Sequence, residues 1–241
     1  MKRLFPILSV ITAASLAYAL YQALVVAPTD ALQGEVYRII YYHVPSAWTA
    51  FLLFLINFVA SVVYLIRRSP KADIVAVVSA EVGVVFCTIV LVTGPIWARP
   101  VWGIWWAPGD IRLTSTLVLW LIYVSYLVLR RFSSSAQTQM LAAALAVFGA
   151  LDVPLVYFSI WFFRTQHPQP VIGGGGSMDP RMLHTLLISW LAFLCFAFLI
   201  CWSRFRLELL KREVEQAHAM ESLVGAGASA KASMPLSRSS R

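Results

Sequence analysis

IVAVVSAEVGVVFCTIVLVTGPIW, residues 74–97, decides the fold. It carries one charged side chain, Glu81. A hydrocarbon layer of roughly 30 Å takes about 20 helical residues to cross, and this run is long enough. Working outward, five more apolar runs of comparable length lie at 5–27, 46–66, 113–129, 140–163 and 183–202. The chain therefore reads as an all-α, polytopic membrane protein with six transmembrane helices.

Composition points the same way. Hydrophobic residues make up 60% of the 241 and charged residues only 12%, against about 25% charged in an ordinary soluble domain. Little length is left for a second domain, so the division expected is a six-helix transmembrane domain over 1–203 and a cytoplasmic basic helix with a disordered tail over 204–241. The basic N-terminus ahead of an apolar run has the look of a secretory signal. The run to Ala27 is long enough to span, however, and more spans follow, so an uncleaved first helix is expected.

The net charge of +8 is not gathered on one surface as nucleic-acid binding requires, and no nucleic-acid partner is expected. Its distribution reports orientation instead. Lys2, Arg3, Arg67, Arg68, Lys71, Arg130, Arg131 and seven basic residues after Trp202, 14 of the 19, fall on one side of the six spans. The positive-inside rule makes that side the cytoplasm, with both termini inside. Cys87, Cys195 and Cys201 lie in apolar segments without a CxxC pair and read as packing residues.

The outward loops hold the chemistry. The first contains QGEVYRIIYYHVPSAW, ending at Trp48; the second WARPVWGIWWAPGDIRLTS, ending at Ser115; the third WFFRTQHPQP, then GGGG and MDPRMLH. Trp97, Trp102, Trp105 and Trp106 fall within ten residues. Interfacial anchoring accounts for one or two tryptophans. A dense set broken by Gly103 and closed by Pro108, Gly109 and Asp110 points to non-helical backbone lining a cleft, a platform for a large, flat, apolar ligand. Heme and a quinone both fit. Heme differs in needing axial donors, commonly imidazoles, and His43, His167 and His184 all lie on this face. His43 precedes Pro45 at the start of the second span, and either of the other two is able to oppose it. Arg38, Arg99, Arg112 and Arg164 stand near the same level as candidate partners for heme propionates, since guanidinium pairs with carboxylate through two bonds; ordinary contacts to lipid phosphates and an Asp110–Arg112 loop pair are the plainer readings. Glu81 and Asp152 lie inside spans, where a charge needs a partner or water. The GGGG run at 173–176 lacks the GK[ST] of a phosphate loop and reads as a spacer. Nothing in the sequence assembles a hydrolytic or nucleophilic triad, so no enzyme is expected.

With those motifs in hand, the chain resembles the heme-handling (heme exporter) protein C family of bacterial cytochrome c maturation system I, within the Trp-rich heme-handling superfamily. QGEVYRIIYYHVPSAW, LVTGPIWARPVWGIWWAPGDIRLTS and the RTQH segment carry the resemblance, in the family's order, across roughly residues 30–200. It implies heme b as a non-covalently bound cargo, held at the periplasmic face of the bacterial inner membrane between two histidines. His43 matches the YxHVP motif and His167 the RTxH motif, which makes these the metal ligands and sets His184 aside. Trp102, Trp105, Trp106, Asp110 and Arg112 match the Trp-rich motif and are implied to bind the cofactor. The usual WGxWWxWDxRLTS stands here as WGIWWAPGDIRLTS, one residue longer, so the loop is expected to differ between Trp106 and Asp110. The family further implies delivery of heme to a periplasmic heme chaperone, and assembly with a small membrane subunit and ATP-binding-cassette transporter subunits. The competing readings from the residues are a membrane subunit of a quinone-linked redox enzyme, with heme ligands deeper in the spans, and a small-solute permease, with broken helices at the midplane.

Overall fold

The computed structural model describes residues 4–133, 135–163, 165–168 and 178–232, with side chains as far as Ser222. Arg164 and the GGGG run at 173–176 lie outside the described residues, as do Lys2 and Arg3. All the regular structure described is helical: α1 Leu4–Tyr21, α2 Ile40–Arg67, α3 Pro70–Trp102, α4 Ile111–Phe132, α5 Ala136–Ala150, α6 Asp152–Phe162 and α7 Pro180–Ala232. A π-helical turn, Gln22–Val26, extends α1, and a 3-10 turn, Glu35–Ile39, leads into α2. Among the described residues, six helical segments are long and apolar enough to cross a membrane.

Local chemistry sets where these helices begin and end. Arg68 adopts the left-handed conformation (φ 53°) to close α2, and Ser69 at once caps α3, its hydroxyl accepting from the Ala72 N–H while Pro70 takes the first helical position. Gly103, at φ 77°, closes α3, Asp110 caps α4, and Ser135 caps α5.

The helix ends nonetheless differ from the sequence expectation in ways that matter for the site. Helix α2 begins six residues before the expected 46, so His43 stands on a helix and Pro45 lies inside it. Proline there removes only the bond that its missing N–H would have given the Tyr41 carbonyl, a loss the surrounding bundle absorbs. Helix α3 likewise runs through Pro95 and Pro100 to Trp102, so Trp97 and Trp102 are helical and only 103–110 is irregular. The fifth span is two helices that meet at Leu151, beside Asp152 and Pro154. Pro154 lacks the N–H that would bond the Ala150 carbonyl, which accounts for the break. At the far end α7 continues through residues 223–232, into the Ser/Ala/Gly-rich stretch where disorder is expected.

The core is built around α2 and α3. Phe54 stacks on Tyr123 at 3.9 Å between ring centres, and Gly83 makes room for it, since a Cβ there would sit 2.7 Å from the Phe54 ring. Gly149 allows α5 the same closeness to α4, where a Cβ would meet Ile122 at 2.6 Å. Without a hydrophobic force between helices in lipid, such close approach through small residues is what holds them together. The many exposed Leu, Val, Ile and Phe side chains along the spans are what a lipid-facing surface requires.

At the end of the bundle opposite the Trp-rich loop, charges lock α3, α4 and α7. Asp73, 3% exposed, takes Arg130 at 2.6 Å and Arg212 at 2.7 Å. Arg212 also holds Glu208 at 3.1 Å. Glu81 is paired in two-pronged fashion with Arg204, both bonds 2.8 Å. This gives the carboxylate in the third span a structural partner that nothing in its own neighbourhood announces.

Candidate functional site

A cavity of about 920 Å³ opens where the start of α2, the end of α3, the start of α4 and helix α6 converge with α7. That lies at the upper end of the size of small-molecule pockets, roughly 300–1,000 Å³. His43 and His167 both line it, ring centres 6.4 Å apart and planes inclined at 33°. With metal–imidazole bonds of about 2.0 Å and about 1.2 Å more from nitrogen to ring centre, two imidazoles on opposite sides of one metal stand roughly 6.4 Å apart. The separation therefore admits one metal ion bound by both rings.

Each ring is held so that the same nitrogen is free. His43 Nδ1 lies 2.9 Å from Thr93 Oγ1, whose own hydrogen goes to the Ile89 carbonyl at 2.6 Å. The hydroxyl is left to accept, so His43 donates from Nδ1 and keeps its lone pair on Nε2. His167 Nδ1 lies 3.0 Å from the Pro168 carbonyl, which only accepts, and the same tautomer follows. Partners on the distal nitrogen are what orient metal-binding histidines. Burial and then the nearby positive charge of Arg112 push the His167 pKa down to about 4, so the imidazole is neutral and its lone pair available at physiological pH.

Among the described residues no group of three or more His, Cys, Asp or Glu side chains is placed to hold a metal. Two imidazoles alone leave an octahedral metal four donors short. The arrangement suits a metal that arrives with its own equatorial ligand, as iron does in a porphyrin.

Of the four arginines expected on the outer face, Arg164 lies outside the described residues and the other three separate cleanly. Arg38 binds Glu35 and the carbonyls of Ala23 and Ala27, at 2.6 and 3.0 Å, fastening the first loop. Arg99 bonds the Gly103 carbonyl at the end of α3. Arg112 lines the cavity, and its Nη1 is buried with no hydrogen-bond partner. An unpaired buried guanidinium nitrogen is costly, and a carboxylate brought into the cavity would satisfy it.

Of the four tryptophans around the second loop, Trp97, Trp102 and Trp106 line the cavity, Trp97 packed edge-on against Trp102 at 5.0 Å and bonded through its ring N–H to Gln33 at 2.8 Å. Trp105 is 59% exposed and forms no part of the wall. Asp110 is not on the wall either. It is 4% exposed, and its oxygens accept from the N–H groups of Leu113 and Gln166 and from the Thr165 hydroxyl. Burial opposes its charge, but these bonds outweigh burial and hold the carboxyl below its usual range. The extra residue between Trp106 and Asp110 is taken up in a turn: the Asp110 N–H bonds the Ala107 carbonyl at 3.0 Å and Thr114 bonds the Pro108 carbonyl at 3.0 Å. His184 is exposed on α7, away from the cavity.

Several contributors stand outside the expected ligand and platform residues, and of these only Asp152, a carboxylate inside a span, carries a sequence signal. Thr93 is a hydroxyl in an apolar span, 50 positions from the histidine it serves. Trp48 and Trp190, edge to face at 5.1 Å, close the cavity from α2 and α7. Asp152 flanks Val153 and Pro154, which line the cavity, and its Oδ2 is buried without a partner.

Comparison with known proteins accords with this geometry. The family model described as heme exporter protein C matches residues 1–220. The heme exporter protein C of Bradyrhizobium diazoefficiens is 35% identical over 223 residues, 91% of this chain and 84% of that protein. That of Escherichia coli K12 is 33% identical over 202 residues, 83% of this chain and 82% of its own. A Marchantia polymorpha protein described as a putative cytochrome c biosynthesis ccmC-like mitochondrial protein is 36% identical over 178 residues, 73% of this chain and 75% of its own.

Proposed function

Because this chain belongs to the heme exporter protein C family, we propose that it is a multi-pass membrane protein that handles heme for cytochrome c maturation, holding the cargo between His43 and His167 at the periplasmic face and passing it to a periplasmic heme chaperone. The observation that carries this reading is the 6.4 Å separation of two imidazoles, each with Nδ1 engaged and Nε2 free, across one cavity. In it His43 and His167 supply the axial bonds, Trp102 and Trp106 cover the ring by dispersion contact, and Arg112 meets a propionate through its unpaired nitrogen. Trp105 lies out on the loop surface, where it is available to whatever docks there.

No bond of the cargo need be made or broken by this chain. Its residues bind the heme, keep the imidazoles neutral and oriented, and let go. The work of delivery is then a competition between these two nitrogens and the recipient. The heme b assignment, the inner-membrane location, and assembly with a small membrane subunit and ATP-binding-cassette subunits belong to the same proposal and are what the family implies, while the orientation with both termini inside rests on the distribution of basic residues. A redox subunit would carry its ligand pair deeper, whereas this pair sits at one end of the bundle beside the irregular loop.

The test is transfer. Heme-loaded protein in detergent or nanodiscs is mixed with a purified periplasmic heme chaperone, and the chaperone is followed for covalently retained heme on a denaturing gel. The expected result is loss of heme from this chain matched by gain on the chaperone. Heme that stays bound through a long incubation, with no gain on the recipient, would favour storage.

A further inference from the structure

The residues that face the cavity explain how heme is gripped, but not what holds His167 in place. Unlike His43, which a helix carries, His167 sits in a short irregular segment beyond α6. A ligand on such a segment stays within bonding distance of its partner only if something fixes it.

Asp110 supplies the fixing contacts. Through Oδ1 it caps α4, accepting from the Leu113 N–H at 3.2 Å. Through Oδ2 it accepts from the Gln166 N–H at 2.8 Å and from the Thr165 hydroxyl. Thr165 Oγ1 in turn accepts from the His167 N–H at 3.1 Å. The donors and acceptors balance: the threonine hydroxyl gives its hydrogen to the carboxylate and takes one from the histidine backbone. The carboxylate is buried and is no part of the cavity wall. Removing it leaves two backbone N–H groups and a hydroxyl unpaired at low dielectric.

We propose that Asp110 is a positioning residue for the His167 ligand, a clasp that joins the end of the Trp-rich loop to the segment bearing that histidine and makes no contact with the cargo. This rests on the reading of His43 and His167 as the axial pair. Its consequence is that the two ligands are unequal. His43 is fixed by α2 and Thr93, whereas His167 is held by a few hydrogen bonds converging on one carboxylate. A displacement of the Trp-rich loop at Asp110 reaches His167 directly, so a partner docking on that loop is able to loosen one axial bond without touching the iron.

The experiment uses the full-length protein loaded with heme, comparing wild type with Asp110→Ala, Thr165→Val, Thr165→Ser and His167→Ala by absorption and electron paramagnetic resonance, with and without added imidazole. Changing a residue that orients a metal ligand typically weakens the bond by about 10- to 100-fold. Asp110→Ala and Thr165→Val are therefore expected to retain heme through His43 while the low-spin six-coordinate signal falls, and millimolar imidazole restores it, as it does in His167→Ala. Thr165→Ser keeps the hydroxyl and stays like wild type. The clasp is overturned if His167→Ala changes the spectrum while Asp110→Ala and Thr165→Val remain fully low-spin. It is overturned equally if Asp110→Ala loses heme that His167→Ala keeps, which would mean a direct or global role. A His167→Ala spectrum identical to wild type would sink the underlying ligand assignment instead.

Discussion

Heme bound to a His43→Ala or His167→Ala variant is expected to be five-coordinate and high-spin, with the affinity lowered by about 100-fold or more. Two donors held in one protein act as a linked pair, and the gain from linking two attachments is on the order of 10²–10⁴. Removing either forfeits it, while Trp102, Trp106 and Arg112 still offer ring and propionate contacts. The two variants should also differ. His43 is braced on α2 by Thr93, so in His167→Ala the remaining imidazole stays well oriented. In His43→Ala the surviving ligand lies on the irregular segment, and the residual binding is weaker. His184→Ala serves as the control: its side chain is exposed and outside the cavity, and neither spin state nor affinity should move. Titration of heme into each detergent-solubilised variant, read by absorption, checks all three expectations.

The second large effect is on stability. Asp73→Ala is expected to cost about 3–5 kcal/mol, the usual penalty for breaking a buried ion pair from one side. The arithmetic is one of stranded charge. Asp73 is 3% exposed and is the shared counter-charge for Arg130 and Arg212, whose side chains are 10% and 20% exposed. Losing it leaves two guanidinium groups close together where water screens them poorly. Because this knot joins α3, α4 and the extension of α7, the loss should appear as a lower unfolding temperature in detergent and as faster proteolysis of the chain after Trp202. Added salt should restore little, since screening acts weakly on buried charges. A variant as stable as wild type would show that Asp73 is dispensable and that helix packing alone fixes α7.

These two sites also mark how far the sequence could be read. The six spans were legible because a bilayer demands long apolar runs, and nothing else produces them. Their ends were not, because Pro45 and Pro100 look like stops. In a bundle the freed carbonyl is tolerated, and the helices run on to carry His43 and Trp102 themselves. Arg38, Arg99 and Arg112 looked alike as outer cations. What separates them is that the first two bond backbone carbonyls, and backbone partners leave no mark in sequence. Trp105 was grouped with Trp102 and Trp106 on motif alone, since beyond Gly103 the backbone is irregular and no period assigns a side. The partners of Glu81 and Asp73 come from more than 50 positions away, a distance across which charge pattern says nothing. His43 and His167 were legible as candidates, but their pairing came from resemblance to a family.

Binding of one heme iron by those two rings from opposite sides is read by electron paramagnetic resonance of the intact, ferric heme-loaded protein with ¹⁵N-labelled histidine. The expected signal is a low-spin six-coordinate iron coupled to two imidazole nitrogens, one of which disappears in each of His43→Ala and His167→Ala. A high-spin, five-coordinate iron in the intact protein, or a two-nitrogen signal that survives both substitutions, would contradict it.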